Sequence, residues 1–330
     1  MIIGVIGAGT FGMSLARLLA NKGYEVTVWS ATESKIDEYI KTRRHKNLPN
    51  MVIPDSIIFT KNIADTCVGK DMIVFAVPSV YVRETARKTA AFIPENCIIV
   101  DVAKGIEADS LMSMSQVIES EMIVPVKTVA LSGPTHAEEV SIDLPSTIVS
   151  ASHDEEAARI VQETFMTPVF RVYTNTDMQG VELCGAMKNI IALAAGMCDG
   201  IGYGDNTKAA LITRGLAEIT RLGMAMGCDI KTFQGLAGIG DLVVTCTSKH
   251  SRNNRCGYLI GQGLSIDEAV KQIGMVVEGI NAIPAAKKLA EKYNVEMPIV
   301  SAAYRLVNEG LDPRQVTAAL MEREMKNETL

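Results

Sequence analysis

No two of the seven cysteines in this chain stand in a C-x-x-C spacing, and their number is odd. Neither a zinc site nor a disulfide framework is suggested, and a reducing cytosol fits best. Basic residues are outnumbered: 32 Lys and Arg face 38 Asp and Glu, for a net charge of −6. The basic excess of a nucleic-acid binder is missing. No stretch approaches the ~18 uninterrupted apolar residues that span a bilayer, so membrane insertion is not expected. The apolar N-terminus lacks a basic leader, which argues against a signal peptide. Asn327-Glu328-Thr329-Leu330 is not a peroxisomal address. No G-x-S-x-G or Cys/His nucleophile pattern occurs, and no metal site is expected. His136, one of four histidines, has no partner near it in sequence and reads as structural. What remains is the composition of an ordinary globular protein, 48% hydrophobic and 21% charged. At 330 residues it is long enough for two domains and a large core, which most of the 17 methionines help to fill.

The chain opens on a strand that runs into a glycine turn: Ile2-Ile3-Gly4-Val5-Ile6, then Gly7-Ala8-Gly9-Thr10-Phe11-Gly12. In such a turn Gly7 permits the tight bend, Gly9 lets the backbone approach a pyrophosphate, and Gly12 lets the next helix pack close to the strand. The helix N-terminus adds N–H groups and a positive dipole end. G-x-G-x-x-G alone is weak, and the alternative is a glycine-rich turn with no ligand. The context favours a dinucleotide. A helical stretch, Met13 to Lys22, and a second strand, Glu25-Val26-Thr27-Val28-Trp29, complete a βαβ unit.

Through about residue 175 short apolar runs alternate with amphipathic stretches. The runs are Ile2–Ile6, Val26–Trp29, Met72–Val77, Cys97–Val102, Thr128–Leu131 and Thr147–Val149. They predict an α/β fold, a Rossmann-like, doubly wound and mostly parallel sheet with helices on both faces. Ligands of such sheets bind beyond the carboxyl ends of the strands, which selects Ser30, Pro78-Ser79, Lys104 and Gly133-Pro134-Thr135. After Thr174 the pattern changes. Asp177 can cap a long helix that carries Glu182, Lys188 and the apolar run Ile190–Met197. Further helices are predicted over Thr207–Met226, Ser265–Ile273, Ala282–Tyr293, Ile299–Asn308 and Pro313–Arg323. Ser265 stands at capping-box spacing from Glu268, and Asp267 and Glu268 suit the dipole of a first turn. The expected domains are a dinucleotide-binding domain over 1–180 and an all-helical substrate domain over 181–330.

An NAD-selective fold usually carries an acid at the end of the second strand. Here Ser30-Ala31-Thr32 follows Trp29, and Glu33 comes later. The usual barrier to a 2′-phosphate is missing, yet no arginine replaces it, so NAD and NADP both stay open. Lys35 or the cluster Arg43-Arg44-His45-Lys46 could supply charge; a solvated surface is the simpler reading of that cluster.

Lys188 is the most informative ionisable residue, because the helix around it reads as buried. Burial disfavours the ammonium form and moves a lysine toward the range useful for acid–base work. A surface lysine that snorkels to water is the competing reading. Lys104 ends a strand and could meet a phosphate or a substrate oxygen. The stretch Gly238-Ile239-Gly240-Asp241-Leu242, then Thr245 and Ser251-Arg252-Asn253-Asn254-Arg255, reads as polar loop and offers a substrate lining. Its arginines can grip phosphate with two parallel hydrogen bonds.

Together these segments resemble the bacterial-type NAD(P)-dependent glycerol-3-phosphate dehydrogenase family over nearly the whole chain. The resemblance rests on the glycine turn, Phe75-Ala76-Val77-Pro78-Ser79, Ala103-Lys104-Gly105 and Ser132-Gly133-Pro134-Thr135-His136-Ala137. It continues through Glu182-Leu183-Cys184-Gly185-Ala186-Met187-Lys188-Asn189, Gly238–Leu242, Ser251-Arg252-Asn253 and Val276-Val277-Glu278-Gly279. It implies interconversion of dihydroxyacetone phosphate and sn-glycerol 3-phosphate for glycerophospholipid synthesis, in a cytoplasmic homodimer. It implies Lys188 as the acid–base residue. Lys104, Gly133, Thr135, Asp241, Ser251, Arg252 and Asn253 would line the substrate. Gly7, Gly9, Thr10, Phe11, Gly12, Lys104, Ala137, Arg252, Val276 and Glu278 would contact the dinucleotide. Ser30-Ala31-Thr32 departs from the basic residues often found there in the family. Two other readings compete: a β-hydroxyacid dehydrogenase of the same architecture, and a non-catalytic nicotinamide-sensing regulator.

Overall fold

A computed structural model describes residues 1–325, 327 and 328. Two compact units result: Met1–Lys104 with Met112–Met178, and Gly105–Leu111 with Gln179–Leu330. The sequence carries no signal for the 105–111 excursion.

The first unit is built on one eight-stranded sheet. Its strands are β1 (Ile2–Ile6), β2 (Glu25–Trp29), β3 (Ile58–Thr60), β4 (Met72–Phe75), β5 (Ile98–Asp101), β6 (Lys127–Ser132), β7 (Ser146–Ala151) and β8 (Phe170–Asn175). Their order is β3-β2-β1-β4-β5-β6-β7-β8, and every neighbouring pair is parallel except β6 and β7. The sheet is therefore the doubly wound α/β arrangement expected. β3 and β8 escape the sequence reading because they lie at the sheet edges: β3 is three residues long and β8 buries only alternate residues. β4 stops at Phe75 rather than Val77.

Successive side chains of a strand point to opposite faces. Ile3, Val5, Met72, Val74, Ile98 and Val100 fill one core, while Ile6, Ile73, Phe75 and Ile99 fill another. Burial on both faces is why these strands read as continuous apolar runs. Gly4 is required by packing: a Cβ there would come 1.8 Å from the Thr66 carbonyl oxygen. The chain runs outward through β2 and β3, then returns to lay β4 on the other side of β1. The crevice at the carboxyl ends of β1 and β4 is thus the switch point where such sheets bind ligands.

The second unit is helical. Its longest element, Met178–Ile201, is long and apolar enough by composition to cross a membrane, but 94% of its apolar window is buried in protein. It is the core helix of this unit, crossed by the helix Arg252–Gly261. The crossing is close because glycines line it: a Cβ on Gly196 would meet the Asn254 carbonyl oxygen at 1.9 Å, and one on Gly257 the Leu193 oxygen at 2.0 Å. The helices Asp205–Ala225, Ile266–Ile273, Glu278–Lys292, Pro298–Glu309 and Pro313–Met321 correspond to the predicted ones. The Ser265–Glu268 capping box forms as expected.

Glu218, 3% exposed, accepts hydrogen bonds from the backbone N–H groups of Ile299 (2.8 Å) and Val300 (3.3 Å), closing the N-terminus of Pro298–Glu309. Burial pushes its carboxyl from the ordinary 4.5 up to about 7, against the pull of those N–H groups, Arg221 and Arg323. The folded carboxyl holds a proton that the unfolded chain releases between those values. Its stabilising contribution is full below pH 4.5 and lost as the pH rises through about 7. Over that window the group costs up to about 3 kcal/mol. Glu218→Gln is expected to flatten the decline by a comparable amount, read from urea midpoints at acidic and neutral pH. Parallel declines in both proteins would contradict this.

Candidate active site

In the first unit the glycine turn lies at the end of β1, with Gly7 at φ +116°. A Cβ on Gly7 would stand 2.5 Å from the Ala76 oxygen, and one on Gly12 would stand 2.1 Å from the Gly7 oxygen. Nothing lies within 4 Å of the corresponding position on Gly9. Gly9 caps the helix Thr10–Asn21, whose first turn has no acidic residue and whose cap has no side-chain acceptor. Tight packing beneath the turn, open space above Gly9 and an acid-free helix N-terminus fit the pyrophosphate of a nicotinamide dinucleotide. Thr10 and Phe11 begin that helix. Ser14 ties it to Ala137 by donating to the carbonyls of Thr10 (2.9 Å) and Ala137 (3.0 Å).

Past β5 and β6, Lys104 Nζ donates to the Gly133 carbonyl at 3.1 Å. The same carbonyl accepts from Thr135 N at 2.9 Å and Thr135 Oγ1 at 3.3 Å. The backbone packs closely here: a Cβ on Gly133 would lie 3.0 Å from Ile148 Cα. Lys104, Gly133 and Thr135 therefore form one cluster. His136 occupies the N-cap of the short helix Ala137–Val140.

In the second unit Lys188 is buried, at 5% exposure. Its Nζ donates to Asp241 Oδ1 and to Thr245 Oγ1, the latter at 2.8 Å. Thr245 Oγ1 in turn donates to the Asp241 carbonyl at 2.6 Å. The structure decides between the two readings of this lysine in favour of burial, and it supplies the carboxylate that compensates the charge. A buried ammonium without such a partner is strongly unfavourable. Asp241 reaches it because a π-helical turn over Leu236–Gly240, closed by Gly240 N to the Gly235 oxygen at 3.2 Å, leads into the helix Asp241–Thr247. Asp241 and Thr245, four residues apart, share one face of it.

Residues 238–247 and 252–255 are thus helical, which corrects their reading as loop. Polar and glycine content mimics a loop; in this fold the glycines serve close packing, as where a Cβ on Gly238 would meet the Phe233 oxygen at 2.1 Å. Ser251 is the N-cap, its Oγ accepting from Asn254 N at 3.2 Å. Arg252, in the first turn, donates from Nη1 to the Val276 carbonyl at 3.1 Å. Asn253 donates to Asn189 Oδ1 at 2.9 Å and accepts from Gly279 N at 2.8 Å, next to Glu278. One net therefore joins the helix of Lys188 to Arg252-Asn253 and to Val276–Gly279. Thr245, expected in the polar substrate lining, is a direct partner of Lys188; Asn189 is the member without an expected role, and its signal was adjacency to Lys188.

The basic cluster after β2 divides. Arg44 and Lys46 are exposed, but Arg43 donates to the carbonyls of Pro54 (3.4 Å) and Ile57 (3.0 Å), and His45 is 5% exposed. The solvated-surface reading is corrected for these two. Ser30 Oγ accepts from Thr32 N at 3.2 Å, and Lys35 is exposed.

A doubly wound sheet with a glycine turn at its switch point, followed by a helical unit around a buried lysine–carboxylate pair, defines a class: the two-unit nicotinamide-dependent dehydrogenases. Family models described as the N-terminus and C-terminus of NAD-dependent glycerol-3-phosphate dehydrogenase match residues 2–158 and 177–318. The chain belongs to the NAD(P)-dependent glycerol-3-phosphate dehydrogenase family. It is 62% identical to glycerol-3-phosphate dehydrogenase (NAD(P)+) 2 of Lactobacillus delbrueckii subsp. bulgaricus, covering 99% of this chain and 98% of that one. It is 52% identical to glycerol-3-phosphate dehydrogenase (NAD(P)+) of Agathobacter rectalis, covering 99% and 97%. The crystal structure of glycerol-3-phosphate dehydrogenase from Coxiella burnetii superposes with a TM-score of 0.94 at 37% identity, covering 98% and 99%.

Proposed function

We propose that this protein reversibly interconverts dihydroxyacetone phosphate and sn-glycerol 3-phosphate with NAD(H) or NADP(H), and that Lys188 is its acid–base residue. The observation that carries the reading is the buried Lys188 ammonium held by Asp241 and Thr245. When bound, the nicotinamide cofactor supplies the hydride. During reduction negative charge develops on the ketone oxygen. The Lys188 ammonium stabilises that charge and donates the proton. Asp241 and Thr245 hold Nζ in place through the transfer, which leaves a neutral amine beside the Asp241 carboxylate until Nζ takes up a proton from solvent. In oxidation a neutral Lys188 accepts the hydroxyl proton.

Lys104, Gly133 and Thr135 in the first unit, and Asp241, Ser251, Arg252 and Asn253 in the second, are the proposed substrate residues. Gly7, Gly9, Thr10, Phe11, Gly12, Lys104, Ala137, Arg252, Val276 and Glu278 are the proposed cofactor residues. Arg252 stands in the first turn of a helix with no acidic residue there, a setting that favours phosphate. Arg252→Ala is expected to raise the KM for dihydroxyacetone phosphate about 10- to 100-fold, the worth of one or two charge-assisted hydrogen bonds. Unchanged KM values for both substrate and cofactor would count against that role. We further propose that the enzyme is a cytoplasmic homodimer, whose mass light scattering would give, and that its product feeds glycerophospholipid synthesis.

The deciding experiment follows loss of absorbance at the reduced-nicotinamide band with dihydroxyacetone phosphate, run separately with NADH and NADPH. Rapid oxidation supports the reading, and the ratio of rates gives the preference that Ser30-Ala31-Thr32 leaves open. Turnover only with a carboxylate substrate would favour the β-hydroxyacid dehydrogenase reading. Cofactor binding without any turnover would favour the sensor.

A further inference from the structure

The glycine turn is anchored by two residues that lie outside its motif. The Ala8 carbonyl, between Gly7 and Gly9, accepts a hydrogen bond from Tyr39 Oη at 3.2 Å. The His45 imidazole also hydrogen-bonds the Ala8 backbone. Because His45 Nδ1 accepts from Asn47 N at 3.2 Å, Nε2 is the nitrogen that carries the proton and donates. The two rings stack with centroids 5.4 Å apart and an interplanar angle of 21°. Both residues are buried. Burial, with the charge of Lys35, holds the imidazole below its ordinary range and so in the neutral, one-donor form. Burial, with Glu38, pushes the Tyr39 hydroxyl up to about 12, so it stays a donor.

The consequence follows from peptide geometry. The structure has no cis peptide bonds among the described residues. In a trans peptide the carbonyl and the next N–H point in opposite directions. Two donors that hold the Ala8 carbonyl toward Tyr39 and His45 therefore hold the Gly9 N–H away from them. Gly9 is also the residue with open space where a side chain would be, at the start of the helix Thr10–Asn21.

We propose that Tyr39 and His45 are positioning residues that aim the Gly9 N–H at the pyrophosphate of the bound dinucleotide. They act through Ala8 and touch neither substrate nor the reacting atoms. The proposal rests on the glycine turn being the pyrophosphate site. It also accounts for the inward turn of His45 within a basic cluster.

Trp29, the single tryptophan, ends β2 and pairs in register with Ile6, so its emission offers a binding signal close to the turn. The test titrates the full-length protein with NADH and, separately, with AMP, which lacks the pyrophosphate. Tyr39→Phe keeps the ring and its stacking and removes only the donor. It is expected to raise the Kd for NADH about 3- to 10-fold, as loss of one buried hydrogen bond does. His45→Leu is expected to raise it about 10-fold. His45→Gln, whose amide nitrogen can donate to Ala8, is expected to recover affinity to within about 3-fold of the parent. The Kd for AMP, the kcat, and the KM for dihydroxyacetone phosphate at saturating NADH should stay within about 2-fold. An unchanged Kd for NADH in Tyr39→Phe and His45→Leu would overturn the proposal. So would equal losses for NADH and AMP, or a fall in kcat alongside the change in Kd. If the unsubstituted protein binds NADH no better than AMP, the pyrophosphate-site reading itself fails. Should His45→Leu not fold, Tyr39→Phe alone decides.

Discussion

Lys188→Ala is expected to lower kcat by about 10³-fold or more while leaving the Kd for NADH within about 2-fold. Two contributions disappear together. General acid–base transfer typically accounts for about 10²- to 10⁴-fold, and electrostatic stabilisation of a developing oxyanion for about 10²- to 10³-fold. They reside in one ammonium, so they are not multiplied. Cofactor affinity is expected to survive because Lys188 is not among the proposed cofactor residues and its bonds run to Asp241 and Thr245. Steady-state turnover at saturating substrate, paired with NADH fluorescence titration, checks both halves. Full retention of activity would remove Lys188 from the chemistry and leave its cluster a structural one. Equal loss of turnover and cofactor affinity would instead point to a misfolded protein.

The second large effect is on stability. Asp241→Ala leaves the Lys188 ammonium buried with Thr245 but without its carboxylate. Breaking a buried pair by removing one partner typically costs about 3–5 kcal/mol, because the remaining charge has lost its compensation. At about 2–4 °C per kcal/mol for a unit of this size, the transition of the helical unit should fall by roughly 10 °C. Activity should fall as well, since the proton donor loses its anchor. Asp241→Asn keeps shape and an acceptor oxygen but not the charge, and is expected to fall between. Calorimetry of the three proteins reads the order directly. A shift under 2 °C for Asp241→Ala would mean that the pair contributes little, and Lys188 would then have to be held by other groups.

Much of the fold was legible because its physics is local. β1, β2, β4 and β5 are buried on both faces, so each is a run of apolar residues that stands out in the sequence. β3 and β8, at the edges, lack that signature. Helices with strong caps were legible for the same reason: Ser265 and Glu268 bond each other across three residues. The helices at 241–247 and 252–261 were not. Their key residues answer to neighbours far along the chain: Asp241 to Lys188, Asn253 to Asn189 and Gly257 to Leu193.

The sequence by itself determined the glycine turn, the doubly wound alternation of apolar runs, the apolar helix that carries Lys188 and the family whose motifs it carries. Each of these is written in the identity and spacing of nearby residues. Only the tertiary structure decided which carboxylate compensates Lys188, that Thr245 holds the same ammonium, that Asn189 joins the site, and that Tyr39 and His45 grip Ala8. Those pairings span 53, 57, 64 and 31 residues in Lys188–Asp241, Lys188–Thr245, Asn189–Asn253 and Tyr39–Ala8. Nothing local encodes them: they exist because glycine-lined crossings bring helices to backbone contact, and because a buried charge or carbonyl persists only where the fold supplies its partner.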